Sequence, residues 1–363
     1  FIKGFEGWLM LKNGSRLFDS WLGAGTLIFG HTGLTFESGM VPISSEFREE
    51  IYTLIEKLVD FKIGGIGFQT SGSSAVTRAC RVSLSYNQRK KIALIQNFWH
   101  GSDDLFLYKG EGIPLSTGLS SEPNTYYESF SSIESFLECK YLEEFSALLV
   151  EPHQGSNPDC NQLEILKDKT YMDILRQKDI LLICDEVITG FRECYGSCFN
   201  SRAACPDLVI LGKALAGGFP IGVVLVSELV MRKIDQEGIF WGGTFSATNA
   251  QIFAMHKQLK LLRMLDYSIL TDNLQLLKSK IMDSKTFSSS NVKILSGCNF
   301  GRIVSNTTES DQSSRGFNSS YDLSKFLRNM ALDEQIYIAR NRLIFPSIFS
   351  FGDLASSPHS LVY

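Results

Sequence analysis

The chain has 363 residues, of which 44% are hydrophobic and 20% charged, with 30 Gly and 9 Pro. This is the composition of a globular protein, and it excludes collagen-like, low-complexity and disordered chains. The formal net charge of -4 provides no basic field to attract nucleic acid or an anionic membrane surface. At about 100–200 residues per domain, the length allows two or three domains.

The eight cysteines are too sparse for a disulfide scaffold, so we expect reduced thiols and a cytoplasmic location. The tightest group, Cys194, Cys198 and Cys205, has no neighbouring His and lacks the paired spacing of zinc sites. We therefore expect no metal. No charged leader with an apolar run is visible near Phe1, and a removed leader stays an open alternative.

The first predicted element is a hairpin, because Asn13-Gly14 stands between two alternating apolar runs. A helix is predicted around 46–62, and an amphipathic helix across 161–179. Short runs rich in Val, Ile and Leu alternate with such segments, which predicts an α/β fold with a parallel sheet. The candidate strands are 92–96, 147–150, 180–184, 208–211 and 222–226.

The segment 208–227 imitates a membrane span, since it has twenty residues and one charge, Lys213. A charge inside the run is costly in a membrane, and Gly217, Gly218 and Pro220 break a helix. The Val and Ile blocks on either side instead predict two buried strands that flank a glycine-rich loop. This interpretation leaves a lysine in apolar surroundings.

The last third of the chain contains serine-rich segments around a short strand-like run, followed by a helix and strand over 321–338. An amphipathic helix near 255–265 is expected to link two domains. We predict an N-terminal segment 1–45 that belongs to a small domain, a large domain 46–260, and the C-terminal part of the small α/β domain, 261–363.

Polar residues follow four of the predicted strands. Trp99 and His100 follow the first, Glu151 the second, Asp185 the third and Lys213 the fourth. Because ligands of open parallel sheets bind outside the carboxyl ends of the strands, we expect these side chains to converge on one crevice.

A possible phosphate site precedes the helix that starts near residue 72. Ser71, Gly72 and Ser73 stand where a helix N-terminus offers free N–H groups to an anion. The alternative is a serine that caps the helix. The segment is neither a Walker A loop nor a GxGxxG motif, so a nucleotide fingerprint is absent.

The chemistry of these groups predicts one cofactor. Desolvation should lower the pKa of Lys213, and a neutral amine attacks a carbonyl carbon. Asp185 suits a cationic heterocyclic nitrogen, and Trp99 offers a flat face for stacking. With a phosphate site at the helix N-terminus, the predicted ligand is pyridoxal 5'-phosphate.

The motifs resemble those of one family in order and spacing. They are CDEVITGFR (184–192), PDLVILGKALAGGFPIG (206–222), TSGSSA (70–75), FWHG (98–101), VEP (150–152) with Gly155, and GGTFS (242–246). The chain resembles the class III pyridoxal-phosphate-dependent aminotransferases over nearly its whole length. That resemblance implies the fold-type I architecture, in which a mostly parallel seven-stranded sheet carries helices on both faces and both chain ends form a small domain.

The resemblance also implies roles for residues. Lys213 would hold the cofactor through a Schiff base and shuttle a proton, with a pyridoxamine phosphate intermediate, and Asp185 would pair with the pyridinium nitrogen. Val187 and Trp99 would pack on the two faces of the ring.

Phosphate binding and assembly follow from the same resemblance. Ser71, Gly72 and Ser73 would hold the phosphate. Thr244 would reach the cofactor of a neighbouring subunit, so a homodimer is expected.

Two positions argue against particular substrates. In the family branch that handles ornithine and 4-aminobutyrate, Gln and Glu stand where this chain has Ile188 and Ser156. The nearest branch is the glutamate-1-semialdehyde aminomutases, whose GTFSGN-type motif is here GTFSATN. We expect an aminotransferase that takes a small-molecule amino donor and a keto or aldehyde acceptor; the alternative is aminomutase-like intramolecular transfer.

Two other classes are disfavoured. A non-catalytic binder would have no reason to keep Lys213, Asp185 and Thr244 together. A metal- or nucleotide-dependent enzyme would require a P-loop, a GxGxxG motif or a His/Asp cluster, and the five histidines are scattered.

Overall fold

A computed structural model describes residues 3–31, 45–109, 113–114, 117–119, 126–199, 205–234, 238–239, 243, 245–305, 321–339 and 341–349. The chain divides into two compact units, a smaller one of Phe1–Thr35 with Leu265–Tyr363 and a larger one of Phe36–Met264. The domain boundaries predicted near residues 45 and 260 stay a prediction.

The strands are short, as expected of a sheet protein with many turns. They are β1 Lys3–Phe5, β2 Trp8–Met10, β3 Arg16–Asp19, β4 Ile63–Gln69, β5 Lys91–Ile95, β6 Tyr108–Lys109, β7 Ile113–Pro114, β8 Tyr127–Phe130, β9 Phe145–Val150, β10 Leu181–Asp185, β11 Leu208–Gly212, β12 Gly222–Ser227, β13 Val292–Gly297, β14 Phe300–Ser305, β15 Ile336–Tyr337 and β16 Leu343–Ile344.

The α-helices range from a single turn to four turns. They are α1 Leu22–Gly25, α2 Ser45–Ile55, α3 Gly72–Asn87, α4 Ile133–Leu137, α5 Gln162–Leu166, α6 Lys169–Gln177, α7 Glu228–Ile234, α8 Asn249–Met264, α9 Ser268–Met282, α10 Lys285–Ser288 and α11 Tyr321–Asp333. Short 3-10 turns cover Glu56–Leu58, Asp104–Phe106, Leu142–Glu144 and Lys213–Ala216.

The larger unit contains a seven-stranded sheet with the order β4-β12-β11-β10-β9-β5-β8. Four of its neighbouring pairs are parallel, and β12 runs antiparallel to both β11 and β4. Every residue of β9, β10, β11 and β12 is buried, which explains why these strands read as continuous apolar runs. The predicted fold class, a mixed α/β fold with a mostly parallel seven-stranded sheet, is confirmed.

The core on one side of this sheet lies under α3 and α7. Small residues on α3, Ala75, Ala79 and Cys80, let the helix approach the buried strands closely. Ser71 begins α3, because its hydroxyl accepts the Ser74 N–H at 3.1 Å while the Ser74 hydroxyl accepts the Ser71 N–H at 3.2 Å. The cap fixes the point where β4 turns into the helix.

The segment 208–227 forms two antiparallel strands, as predicted. β11 and β12 pair from Leu208 with Val226 to Gly212 with Gly222, and a 3-10 turn begins at Lys213 between them. Among the described residues, no helix combines the length and apolarity needed to cross a membrane.

The smaller unit contains two sheets, β1-β2-β3-β15 and β13-β14-β16. The predicted N-terminal hairpin is confirmed, since Trp8 pairs with Phe18 and Met10 with Arg16 across a turn that contains Asn13-Gly14. Its core combines side chains from the hairpin, from α9 and α11, and from β14.

Two predicted helices have different bounds from those expected. The helix predicted over 46–62 ends after the 3-10 turn at Leu58, where Val59 is extended. The helix predicted over 161–179 is split into α5 and α6, because the Asp168 carboxylate accepts the Thr170 N–H at 2.8 Å and starts a new helix. A local side-chain cap therefore overrides the apolar periodicity.

The carboxyl of Asp207, just before β11, supports a prediction about stability. Its Oδ2 accepts the Leu182 N–H at 2.9 Å, yet burial raises its pKa to about 6 from 3.8. Ionising Asp207 therefore costs free energy in the folded state. This cost is absent below about pH 4 and complete above about pH 6.

Asp207→Asn keeps an oxygen acceptor, so it should raise the free energy of unfolding by about 2 kcal/mol near pH 8 and leave it unchanged near pH 4. Urea unfolding at both pH values checks this, and an equal gain at both would contradict it.

Candidate active site

The carboxyl ends of four adjacent parallel strands bring together the residues predicted to converge. β11, β10, β9 and β5 are neighbours in this order, and Lys213, Asp185, Glu151 and Trp99 lie at or just beyond their ends. The register pairs Asp185 with Ile210, three residues before Lys213. The strand order, rather than the chain spacing, therefore determines which side chains become neighbours.

Lys213 lies at the start of the 3-10 turn after β11, where its φ is 42°. Burial of the amine lowers the pKa of Lys213 to about 8, and the positive charge of Arg192 acts in the same direction. The carboxylates of Asp185 and Glu151 oppose this shift, but burial outweighs them. The amine therefore exists largely in its neutral, nucleophilic form at mildly alkaline pH.

Asp185 ends β10 and is buried, with 4% of its surface exposed. Its Oδ1 accepts the Val187 N–H at 3.1 Å, and its Oδ2 lies 2.9 Å from Nδ1 of His100. A buried carboxylate needs such donors, because an uncompensated charge in the interior is strongly unfavourable. Asp185 is thus held in one orientation at the strand end.

The Val187 side chain packs closely against Gly72 at the start of α3. A Cβ at Gly72 would lie 2.7 Å from Cγ1 of Val187, so a larger residue at position 72 would require the valine to move. The backbone at the N-terminus of α3 therefore packs directly against the Val187 side chain in the turn after β10.

Ser73 is packed in the same way, against Gly101 in the loop after β5. Its hydroxyl accepts the Ser102 N–H at 3.1 Å, and a Cβ at Gly101, whose φ is +102°, would lie 2.4 Å from that oxygen. Because a hydroxyl that accepts a hydrogen bond still has a hydrogen to donate, Ser73 can serve an anion at this helix end. Ser71 acts as the helix cap described above, and its part in phosphate binding stays a prediction.

Trp99 is held through its backbone. The buried Glu151 carboxylate accepts the Trp99 N–H at 2.8 Å and the Gly155 N–H at 3.3 Å. Glu151 thereby ties the loop after β5 to the loop after β9. The sequence marked Glu151 as a polar residue at a strand end but could not show that it anchors the aromatic residue.

The structure adds one contact and one charged group to the predicted site. His100 was expected among the side chains that converge on the crevice, and its Nδ1 lies 2.9 Å from Oδ2 of Asp185. Arg192 was not singled out in the sequence. Arg192 is fully buried, with its Nε donating to the Ile188 carbonyl at 3.1 Å, and its charge influences Lys213. Thr244, predicted to reach a second subunit, lies outside the described residues.

The chain is similar in sequence to known proteins. The family described as aminotransferase class-III matches residues 3–286. The chain is 30% identical over 272 residues to a glutamate-1-semialdehyde 2,1-aminomutase of Archaeoglobus fulgidus, which covers 68% of this chain and 63% of that protein. The matched segment thus spans less than two thirds of that relative.

Solved structures share the fold. The chain superposes with a TM-score of 0.76 on an omega-transaminase from Sphaerobacter thermophilus, at 20% identity, covering 97% of this chain and 87% of the other. It superposes with a TM-score of 0.77 on a glutamate-1-semialdehyde aminomutase from Pseudomonas aeruginosa PAO1, at 17% identity, covering 95% and 82%.

The sheet order and these superpositions show that the chain shares its fold with a solved transaminase and a solved aminomutase. The chain belongs to the class III aminotransferase family. The expectation of a pyridoxal-phosphate enzyme is confirmed at the level of the family. The residues present fit that cofactor, since a lysine amine, a buried carboxylate and a helix end with no space for a Cβ at Gly72 occur at one edge of the sheet.

Proposed function

We propose that this chain is an aminotransferase that moves an amino group from a small-molecule donor to a keto or aldehyde acceptor. The observation that carries the proposal is the placement of Lys213 and Asp185 at the ends of the adjacent strands β11 and β10, within electrostatic reach of each other. A reactive amine beside a fixed carboxylate is the pair that a carbonyl-bearing pyridine cofactor requires.

Each group has a distinct part in this proposal. Pyridoxal phosphate, when bound, supplies the electron sink that stabilises negative charge at the substrate α-carbon. Lys213 Nζ holds the cofactor covalently and, when released, takes the proton from the α-carbon. Asp185 offers its carboxylate to the ring nitrogen, and Val187 and Trp99 border the ring. Gly72 and Ser73, with Ser71, hold the phosphate at the N-terminus of α3.

Two residues beside the predicted site support a substrate different from ornithine or 4-aminobutyrate. Ile188 is buried, and its Cδ1 would lie 2.6 Å from a Cβ at Gly155. The Ser156 hydroxyl donates to the Asn97 carbonyl. An apolar side chain and a hydroxyl bound to the backbone thus replace the Gln and Glu of that branch.

Intramolecular amino transfer is the second candidate, because curated relatives at about 30% identity are named glutamate-1-semialdehyde 2,1-aminomutase. The two candidates differ in one requirement. A transferase needs an added keto or aldehyde acceptor for repeated turnover, whereas a mutase regenerates the cofactor from its own substrate.

The purified protein, loaded with pyridoxal phosphate, should be yellow and should lose that colour when a suitable amino donor is added. An added keto acid should restore the colour, which separates transfer between two molecules from intramolecular transfer. Borohydride should trap the cofactor on the peptide that contains Lys213, as read by mass spectrometry. A protein that stays colourless after loading would contradict the proposed function.

Assembly and location remain parts of the proposal. We propose a homodimer in which Thr244 reaches the partner subunit's cofactor. The eight cysteines are too sparse for a disulfide scaffold, and this composition supports the proposed cytoplasmic location.

A further inference from the structure

The Gln251 side chain is buried near the start of α8, with 3% of its surface exposed. Its Oε1 accepts the Thr248 N–H at 3.0 Å, and the Thr248 hydroxyl accepts the Gln251 N–H at 3.3 Å. These reciprocal bonds form a capping box, so Thr248 and Gln251 together begin the helix. The amide oxygen of Gln251 is therefore fixed by the residue that precedes α8.

The amide nitrogen of Gln251 donates to two carbonyls on separate parts of the chain. One is the Gln69 carbonyl at the end of β4, and the other is the Pro220 carbonyl just before β12, each at 3.3 Å. An amide group has two hydrogens, so both bonds form at the same time. One side chain thus joins the end of β4, the loop before β12 and the residue before α8.

These two carbonyls lie where the pairing of β4 with β12 ends. Gln69 is the last residue of β4 and pairs with Gly222, the first residue of β12. A Cβ at Gly222 would lie 2.2 Å from the Ser71 carbonyl oxygen, so the two backbones approach as closely as glycine allows. Beyond this pair the strands separate, and the Gln251 amide supplies the connection that strand pairing no longer provides.

The two strands lead to the two groups that would hold opposite ends of the proposed cofactor. Two residues after Gln69, Ser71 begins α3, where the phosphate is proposed to bind. Pro220 lies in the loop that starts at Lys213, and α8 also packs against the 3-10 turn of that lysine. The two bonds donated by Gln251 therefore connect the phosphate end of the site to its lysine end.

We propose that Gln251 is a positioning residue that fixes the spacing between the N-terminus of α3 and Lys213, and so favours a ligand held at both ends over one held at a single end. This inference rests on the proposed function. Gln251 acts through the backbone at Gln69 and Pro220, not by contact with the reacting atoms. A ligand held at two points gains affinity only when the distance between those points matches the ligand.

The test compares the binding of three probes to the apoprotein. Pyridoxal phosphate engages both ends of the proposed site, pyridoxal engages Lys213 alone, and inorganic phosphate engages the N-terminus of α3 alone. In Gln251→Met, which keeps the length of the side chain but removes its polar atoms, the association constant of pyridoxal phosphate should fall about 10-fold through loss of the two donated bonds. The association constants of pyridoxal and inorganic phosphate should stay within about twofold of the wild type.

Gln258→Met is the matched control, because Gln258 is also buried on α8 and its Nε2 has no hydrogen-bond partner among the described residues. It should leave the affinity for all three probes unchanged. An undiminished affinity of Gln251→Met for pyridoxal phosphate, or an equal loss with either single-ended probe, would overturn the inference. If borohydride fails to trap pyridoxal phosphate on Lys213 of the wild type, the proposed function fails instead.

A measurement on the wild type covers the case in which Gln251→Met does not fold. In protein labelled with ¹⁵N in its glutamine side chains, exchange of the Gln251 amide hydrogens with solvent should slow when pyridoxal phosphate binds, because a ligand held at both ends restrains the two segments that this amide joins. Exchange should stay unchanged with pyridoxal or inorganic phosphate. Equal exchange rates with all three probes would overturn the proposal.

Discussion

Lys213→Ala should abolish covalent attachment of the cofactor and lower turnover by at least about three orders of magnitude, because in the proposed function one amine both holds the cofactor and carries the proton. Borohydride trapping and single-turnover kinetics with saturating pyridoxal phosphate measure the two losses separately. Lys62→Ala, at an exposed lysine paired with Glu228, is the control for removal of a lysine. Turnover within about tenfold of the wild type would contradict the role of Lys213.

The environment of Lys213 gives this prediction a pH dependence. Because burial lowers the pKa of Lys213 to about 8 from 10.5, half of the amine is neutral at about that pH, and the neutral fraction levels off roughly one to two pH units above it. The rate at which the apoprotein captures the cofactor should follow the same curve, whereas the rate for a solvated lysine would keep rising beyond about pH 10. Lys213→Arg, which keeps the charge but cannot lose its proton, should capture none.

The sequence predicted the interior of the sheet well but missed its edges. Strands β9 to β12 are buried on both faces, so their Val, Ile and Leu runs are continuous and visible. β4, with the sequence IGGIGFQ, was missed because three glycines weaken the strand signal. β8 was missed because an edge strand need not be apolar throughout; its Glu128 instead binds Lys91 of β5.

The candidate site was predictable at the level of residues but not of contacts. Motif spacing marked Lys213 and Asp185, since reactive groups follow strands at predictable places. The direction in which His100 points depends on Phe98, Phe106 and the Glu151 carboxylate, which come together only through the strand order. For Ser71 the sequence left a phosphate ligand and a helix cap as alternatives, and the structure shows the cap, which pairs Ser71 with Ser74.

Asp185→Asn should lower turnover by about 10²–10³-fold while Lys213 still captures the cofactor. The amide keeps the size of the side chain and an acceptor for the Val187 N–H, but it removes the charge that we propose holds a proton on the ring nitrogen. Half-reaction kinetics measure this loss, and the ¹⁵N signal of pyridoxal phosphate labelled at its ring nitrogen reports the protonation of that nitrogen. Asp207→Asn, which removes a buried carboxyl just before β11, is the matched control and should keep native turnover.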